Sequence, residues 1–346
     1  LLIAQRARPL SDNPSAVKIF SGIQPTGAKH LGNYSGGFRQ YAATQEQGDA
    51  FFCVVDLHSV TVPHDPEDLR ERTLDLAALM FATGLDPQRS TVFVQSHVTA
   101  HAEAAWLLGC VATTGELQRM TQFKDKAGKQ TSVSAGLFTY PVLMVGDILL
   151  YQTDLVPIGD DQRQHLELTR DVAERFNSRF GETFTVPKGV YPEAGARIMD
   201  LQDPENKMST TGGNPQGTIY LLDPPEVVRK KLKTAVTDSG REIVHDVANK
   251  AGVSNLIEIM TVATGESIAE VEKRFEGAGY GQLKTDVGDA VVALLEPIQA
   301  RFRELRGDPD ELERLLAIGA AKAREAAAPT LEKMYDHMGF TRPKGV

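Results

Sequence analysis

Cysteine is scarce in this chain. There are two, Cys53 and Cys110. Both stand in apolar company, "FFCVVD" and "LLGCVA". That setting predicts buried free thiols in a reducing, cytoplasmic environment and no disulfide framework. No Cys/His cluster has zinc-ligand spacing, so neither zinc nor an iron–sulfur cluster is expected. No apolar run approaches the roughly 18 residues of a membrane span, so no membrane partner is expected. The opening "LLIAQRARPLSDNPS" has too short an apolar stretch for a signal peptide and lacks a small-residue cleavage pattern. The chain opens on Leu1, and residues 1–15 read as a loose N-terminal extension. Positive charge is also in deficit. A net charge of −9 argues against coating nucleic acid broadly. It leaves room for a local basic surface, and "KDKAGK" (124–129) and "RKKLK" (229–233) are the two candidates.

What is present is organisation. With 346 residues the chain has material for two domains and a sizeable core. "VKIFSGIQ" reads as a strand, and "NYSGGFRQYAATQEQ" as a helix. "AFFCVVDLHSVTV" and "STVFVQS" read as strands buried on both faces. "DPEDLRERTLDLAALMFATG" is a helix signalled at both ends, and "AHAEAAWLLGCVA" is helical. "DLVPIG" is a strand leading into the amphipathic helix "DDQRQHLELTRDVAERFNSRF", and "ARIMDL" is a last short strand. Alternating strands and helices predict an α/β fold with a doubly wound parallel sheet over residues 16–211. The periods after Gly212 are helical throughout. An all-helical domain is therefore expected over 212–346, with Pro297 and Pro329 kinking or dividing two of its helices.

In such sheets, ligands bind beyond the carboxyl ends of the strands. Three strand ends and one loop concentrate chemistry. In "SGIQPTGAKHLGNYSGG", Gly22, Gly27 and Gly32 allow close backbone approach. Gln24, His30 and Asn33 add hydrogen-bonding groups beside a helix start suited to an anion. A Gly-rich turn with a capping Asn would account for much of the same composition. In "PIGDDQRQH", Gly159, Asp160 and Asp161 could meet a sugar or an ammonium with Gln162 beside them, or simply cap a helix. In "FTYPVLMVGDILLYQ", Tyr140, Met144, Asp147 and Tyr151 share a helical face. An aromatic, a thioether and one acceptor describe a pocket for a flat apolar group bearing one N–H. The alternative is a core Asp satisfied by protein backbone. The loop is "ENKMSTTGGNPQG", Glu205 to Gly217. It has the composition of a mobile surface connector, yet it carries a lone Lys207 beside Met208.

Together these pieces resemble the class I aminoacyl-tRNA synthetases, in their tryptophan-specific bacterial branch. "HLGN" (30–33) stands where the class carries His-Ile-Gly-His. "KMSTT" (207–211) stands where it carries Lys-Met-Ser-Lys-Ser. "FSGIQPTG", "GELQRMTQFKDK", "GARIMDL" and "TAVTDSG" resemble further blocks, so that the likeness runs from about Val17 to near the C-terminus. The resemblance implies that L-tryptophan and ATP form tryptophanyl-adenylate and pyrophosphate. The tryptophan then passes to the terminal adenosine of tRNA(Trp). It implies ATP contacts from Gln24, Pro25, Thr26, Gly32, Asn33, Gly159, Asp160, Asp161, Ile198, Lys207, Met208, Ser209, Thr210 and Thr211. Asp147 would accept the indole N–H, with Phe20, His58, Tyr140, Met144 and Gln162 lining the amino-acid pocket. Lys126 would reach the pyrophosphate, and Lys207, Lys126, Asn33 and Gln24 would act in the chemistry.

The resemblance further implies Mg²⁺ on the phosphates, a homodimer, and an anticodon-binding role for the helical domain. The substrate carboxylate is itself the nucleophile, so no catalytic triad is required, and none is evident. One position departs from the class pattern: Thr210 replaces the loop's second lysine. Two alternatives stay open. One is a tyrosine-specific relative, whose pocket would need more polar groups. The other is a synthetase-like paralogue that binds tRNA or amino acid without activating it.

Overall fold

The computed structural model describes residues 16–128, 132–159, 162–191, 197–209 and 214–341, without the Lys126 side chain. Five parallel strands form the central sheet: β1 (Lys18–Ile23), β2 (Asp49–Val54), β3 (Ser90–Val94), β4 (Leu155–Pro157) and β5 (Lys188–Val190). Their order is β3-β2-β1-β4-β5. The order reverses between β1 and β4, and a crevice opens beyond their carboxyl ends at that point.

Side chains alternate across the strands. Ile19, Ala50, Phe52, Val54, Val92 and Val94 join one apolar cluster. Phe20, Phe51, Cys53, Val55 and Phe93 join the other. Each cluster also takes in residues from far beyond position 211. The Tyr280–Gly307 helix packs on the Pro66–Ala82 helix, and the Pro309–Met338 helix packs on β3 and the Ala100–Gly109 helix. That last approach is close. A Cβ on Gly319 would lie 1.8 Å from the Val92 carbonyl oxygen.

Several local expectations are corrected. Pro297 and Pro329 lie inside the continuous helices Tyr280–Gly307 and Pro309–Met338 and divide neither. Buried neighbours on both sides, such as Leu295 and Ile298 or Ala327 and Thr330, hold the helices through the missing hydrogen bond. The described residues of "ARIMDL" contribute no strand, only an isolated bridge between Met199 and Lys207. The strand expected over "AFFCVVDLHSVTV" stops at Val54, and Asp56–Ser59 turns helical. The helix after "HLGN" is interrupted by a π-helical turn at Tyr34–Phe38, whose glycines favour the irregularity. Cys53 is buried, but Cys110 is exposed, because its neighbours Leu108 and Val111 take the inward positions at the end of their helix. No helix of the described residues is long and apolar enough to cross a membrane.

Candidate active site

A cleft of about 450 Å³ opens at the switch point. Twelve of the residues expected at a site line it together: Phe20, Gln24, Thr26, Gly32, Asn33, His58, Tyr140, Met144, Asp147, Gly159, Gln162 and Lys207. They come from five separate stretches of chain, which the sheet order and the helices and loops that follow its strands bring to one place. Pro25 instead lines a neighbouring cavity. Ile198 and Met208 are buried in the core and present no side chain to the cleft. Ser209 offers its carbonyl to the Thr218 hydroxyl at 3.0 Å. Asp160, Asp161, Thr210, Thr211 and the side chain of Lys126 lie outside what the structure describes.

One end of the cleft is built by "HLGN". The His30 N–H donates to Asn33 Oδ1 at 3.0 Å, and the Gly32 N–H donates to His30 Nδ1 at 3.1 Å. This reciprocal pair is a capping box in which histidine plays the usual Ser/Thr part. The segment is tied down from behind: Leu31 N–H donates to Ile219 O, and Leu221 N–H to Lys29 O, each at 2.9 Å. Burial, then the positive charges of Lys207 and Lys29, push His30 down to about 4. The ring therefore stays neutral and keeps its Nδ1 lone pair for the cap.

Lys29 was not singled out by sequence reasoning. Its Nζ donates to the carbonyls of Gln24 and Thr26, both at 2.9 Å, and fastens the turn whose Gly27 has φ +63°. Burial, with Arg72 adding to it, brings Lys29 down to about 8. Among the described residues lining the cleft, Lys29 and Lys207 are the two lysines.

Lys207 reaches the cleft from a segment that is less free than its composition suggests. Met208 N–H donates to Ile198 O at 3.1 Å, and Asp200 N–H to Asn206 O at 2.8 Å. Met208 is 2% exposed and belongs to the apolar cluster that also holds Ile198, Leu201 and Ile219. Methionine here is an apolar anchor, and the exposed Lys207 stands next to it.

The other end is apolar around one carboxylate. Asp147 is 1% exposed on the Ala135–Leu149 helix. Its Oδ2 meets His58 Nε2 at 2.8 Å. Its Oδ1 meets Gln95 Nε2 and His101 Nδ1, each at 2.6 Å. Burial pushes the carboxyl upward, but hydrogen bonds and charge from His101 and His58 outweigh that and hold it well below the usual carboxylate range. Asp147 thus lines the cleft and is partnered there by side chains, where the alternative reading had backbone satisfying it. Tyr140 also faces the cleft, with its OH 3.0 Å from His165 Nε2, and burial pushes it up to about 12. Tyr151 does not line the cleft. It stacks behind, 5.5 Å from Phe20 and 4.5 Å from Phe51.

Gln95 and His101 were missed by the sequence reading, although "VFVQSHVTAH" places polar residues directly after a buried strand. That position was itself the available signal. The basic stretch "RKKLK" is partly internal. Lys231 is buried, donating to Asp223 Oδ2 and Thr218 O, both at 2.7 Å, and Arg229 pairs with Asp289. Among the described residues, no group of three or more His, Cys, Asp or Glu is placed to hold a metal ion.

The arrangement is suited to a ligand with an anionic end beside Lys29 and Lys207 and a flat apolar end whose N–H meets Asp147. Comparisons with known proteins identify the family. The family model of class I tRNA synthetases (W and Y) matches residues 12–296. A tryptophan–tRNA ligase 2 from Streptomyces avermitilis is 54% identical over 337 residues, covering 96% of this chain and 99% of that protein. A tryptophan–tRNA ligase from Listeria monocytogenes is 53% identical over 326 residues, covering 94% and 98%. The crystal structure of tryptophanyl-tRNA synthetase from Mycoplasma pneumoniae superposes with a TM-score of 0.85 at 39% identity, covering 94% of this chain and 98% of that one. The Campylobacter jejuni enzyme complexed with ADP and tryptophan gives 0.83 at 35% identity, covering 94% and 100%. With its sheet order, its cleft and a family match over most of its length, this chain belongs to the class I tRNA synthetases of the tryptophan and tyrosine family.

Proposed function

We propose that this chain activates L-tryptophan with ATP and transfers it to the 3′-terminal adenosine of tRNA(Trp). The observation that carries the choice of amino acid is Asp147: one buried acceptor at the cleft, with Met144 and Phe20 as apolar company. An indole presents one N–H and otherwise carbon, and Asp147 Oδ2 accepts it beside His58. A phenol would require a donor and an acceptor together.

The chemistry follows from position and charge. ATP would be taken up as its Mg²⁺ complex, the ion supplying neutralising charge to the phosphates with little need of protein ligands. Gln24, Thr26, Gly32, Asn33 and Gly159 hold the nucleotide over the carboxyl ends of β1 and β4, with Pro25, Ile198, Met208 and Ser209 shaping the loops behind them. Gln162 and Tyr140 orient the amino acid. Its carboxylate attacks the α-phosphorus, a P–O bond forms, and the bond to pyrophosphate breaks. Lys207 stabilises the charge that gathers on the leaving group. Asp160, Asp161, Lys126, Thr210 and Thr211 are proposed ATP-site residues from sequence alone.

In the second step a hydroxyl of the terminal ribose displaces AMP. Residues 16–211 carry the nucleotide site, and the helices after 212 carry tRNA recognition. Lys230 and Lys233 are the solvent-facing lysines of "RKKLK". The protein acts in the cytoplasm as a homodimer. A single sedimenting species of monomer mass at micromolar concentration would remove the dimer.

Pyrophosphate exchange into ATP tests the central reading. It should depend on tryptophan and be at least about 10³-fold less efficient with tyrosine, the scale expected where a site would leave polar groups unpaired. Exchange driven equally by tyrosine, or none with either amino acid, would overturn it.

A further inference from the structure

Behind the cleft wall, a buried chain of hydrogen bonds runs from Asp147 away from the ligand space. Asp147 is an acceptor only, so His101 Nδ1, at 2.6 Å from Oδ1, carries a proton and donates it. His101 Nε2 lies 2.8 Å from the Tyr151 hydroxyl, which donates to it in the neutral ring. Burial pushes the Tyr151 hydroxyl well up, so it keeps its proton. The second donor to Oδ1 is Gln95 Nε2, and its orientation is set because Gln95 Oε1 accepts the Leu57 N–H at 3.1 Å. Oδ1 therefore has both its lone pairs used. Among the described residues Oδ2 meets His58 and keeps one lone pair. Tyr151 is itself clamped by rings: Phe20 at 5.5 Å and 10°, Phe51 at 4.5 Å and 23°, and Phe93 edge-on at 5.9 Å. His101 is fully buried and Tyr151 is 1% exposed, and neither lines the cleft.

We propose that Tyr151 and His101 are positioning residues for amino-acid selection: the Tyr151 hydroxyl fixes the His101 ring so that Asp147 Oδ1 is held from behind and Oδ2 alone is turned to an incoming N–H. This rests on Asp147 being the indole acceptor. Without the hydroxyl, His101 Nε2 loses its buried partner, and the ring that donates to Oδ1 is no longer fixed from behind. The carboxylate then keeps its donor but loses part of its fixed orientation. Selection for an N–H should weaken, while the shape of the pocket and the ATP end of the cleft stay as they are.

The test compares kcat/KM in pyrophosphate exchange for tryptophan and for β-(3-benzothienyl)alanine, the isostere in which sulfur replaces the indole N–H. Tyr151→Phe keeps the stacked ring and removes only the hydroxyl. It should lower the tryptophan-to-isostere ratio about fivefold, the loss of one buried hydrogen bond, with KM for ATP unchanged. His101→Leu should lower the ratio about tenfold or more, because a donor to a charged group is lost. His101→Asn, which places an N–H near the position of Nδ1, should restore part of it. If Tyr151→Phe and His101→Leu reduce both amino acids in parallel, leaving the ratio at its native value while Asp147→Ala abolishes discrimination, the two residues are structural and the proposal falls. If Asp147→Ala also leaves the ratio unchanged, the indole-acceptor reading fails first and takes the proposal with it.

Discussion

Asp147 Oδ2 and His58 Nε2 meet at 2.8 Å on the wall of the cleft, and both side chains are almost fully buried. A carboxylate so placed is stable only because three side-chain donors surround it. The same enclosure makes it a selective acceptor, since water does not compete freely for it. A residue that is costly to bury is thus the one on which the proposed substrate choice rests.

Asp147→Ala should therefore raise the KM for tryptophan far more than the KM for ATP. Losing a buried acceptor costs about 1–3 kcal/mol, or about five- to 150-fold in tryptophan affinity. Steady-state pyrophosphate exchange with each substrate varied in turn measures the split. An equal loss for both substrates would make Asp147 a residue of the core alone.

Lys207 should act mainly on the transition state. Lys207→Ala is expected to slow adenylate formation by about 10²–10³, the usual cost of a missing preorganised donor, with a smaller change in ATP binding. Thr210→Lys restores the class pattern in the loop. Because Lys207 and Lys29 already bring two positive charges to the described lining, the added lysine should change the single-turnover rate less than tenfold, a step of about 1.4 kcal/mol in barrier. An increase of two orders of magnitude would mean that activation in this chain is limited by the missing charge.

His30 gives the fold a dependence on acid. Its folded value is about 4 against an ordinary 6.5, so the folded chain binds fewer protons between those limits. Stability then rises with pH from about 4 to 6.5 and is lost as pH falls through that window. The physical event is protonation of Nδ1, which ends its acceptance from the Gly32 N–H. His30→Asn keeps a capping acceptor without a titrating ring. Urea unfolding at pH 7 and pH 4.5 should show a smaller loss for the variant than for the native chain. Parallel losses would place the acid sensitivity elsewhere.

Gly319 tests how firmly the last helix is bound to the sheet. With a Cβ 1.8 Å from Val92 O, Gly319→Ala must push the Pro309–Met338 helix off β3. A cost of about 1–3 kcal/mol is expected for such overpacking, seen as a lower urea midpoint. A neutral result would mean that the helix shifts without loss.

What the sequence by itself determined was local or compositional. The α/β alternation, the buried strands and the boundaries of the Pro66–Ala82 helix follow from period and from Asp65-Pro66 at its start, which are short-range properties. "HLGN" and "KMSTT" stood out through the family resemblance, and the Tyr140–Met144–Asp147 face through spacing along one helix. Only the tertiary structure decided the rest. The order β3-β2-β1-β4-β5 brings His58, Asp147 and Lys207 to one crevice, and strand order is not a property of any segment. Met208, read as part of a loose connector, proved to be an anchor because it is buried in the apolar core and its N–H bonds Ile198 O. Lys231, read as one of a basic run, is internal because Asp223 and a backbone carbonyl meet it there. Gln95, His101 and Lys29 gained their roles from partners between 3 and 52 residues away in the chain. Burial and hydrogen-bond partnership are set by what packs across from a residue, and that is decided only when the whole chain has closed on itself.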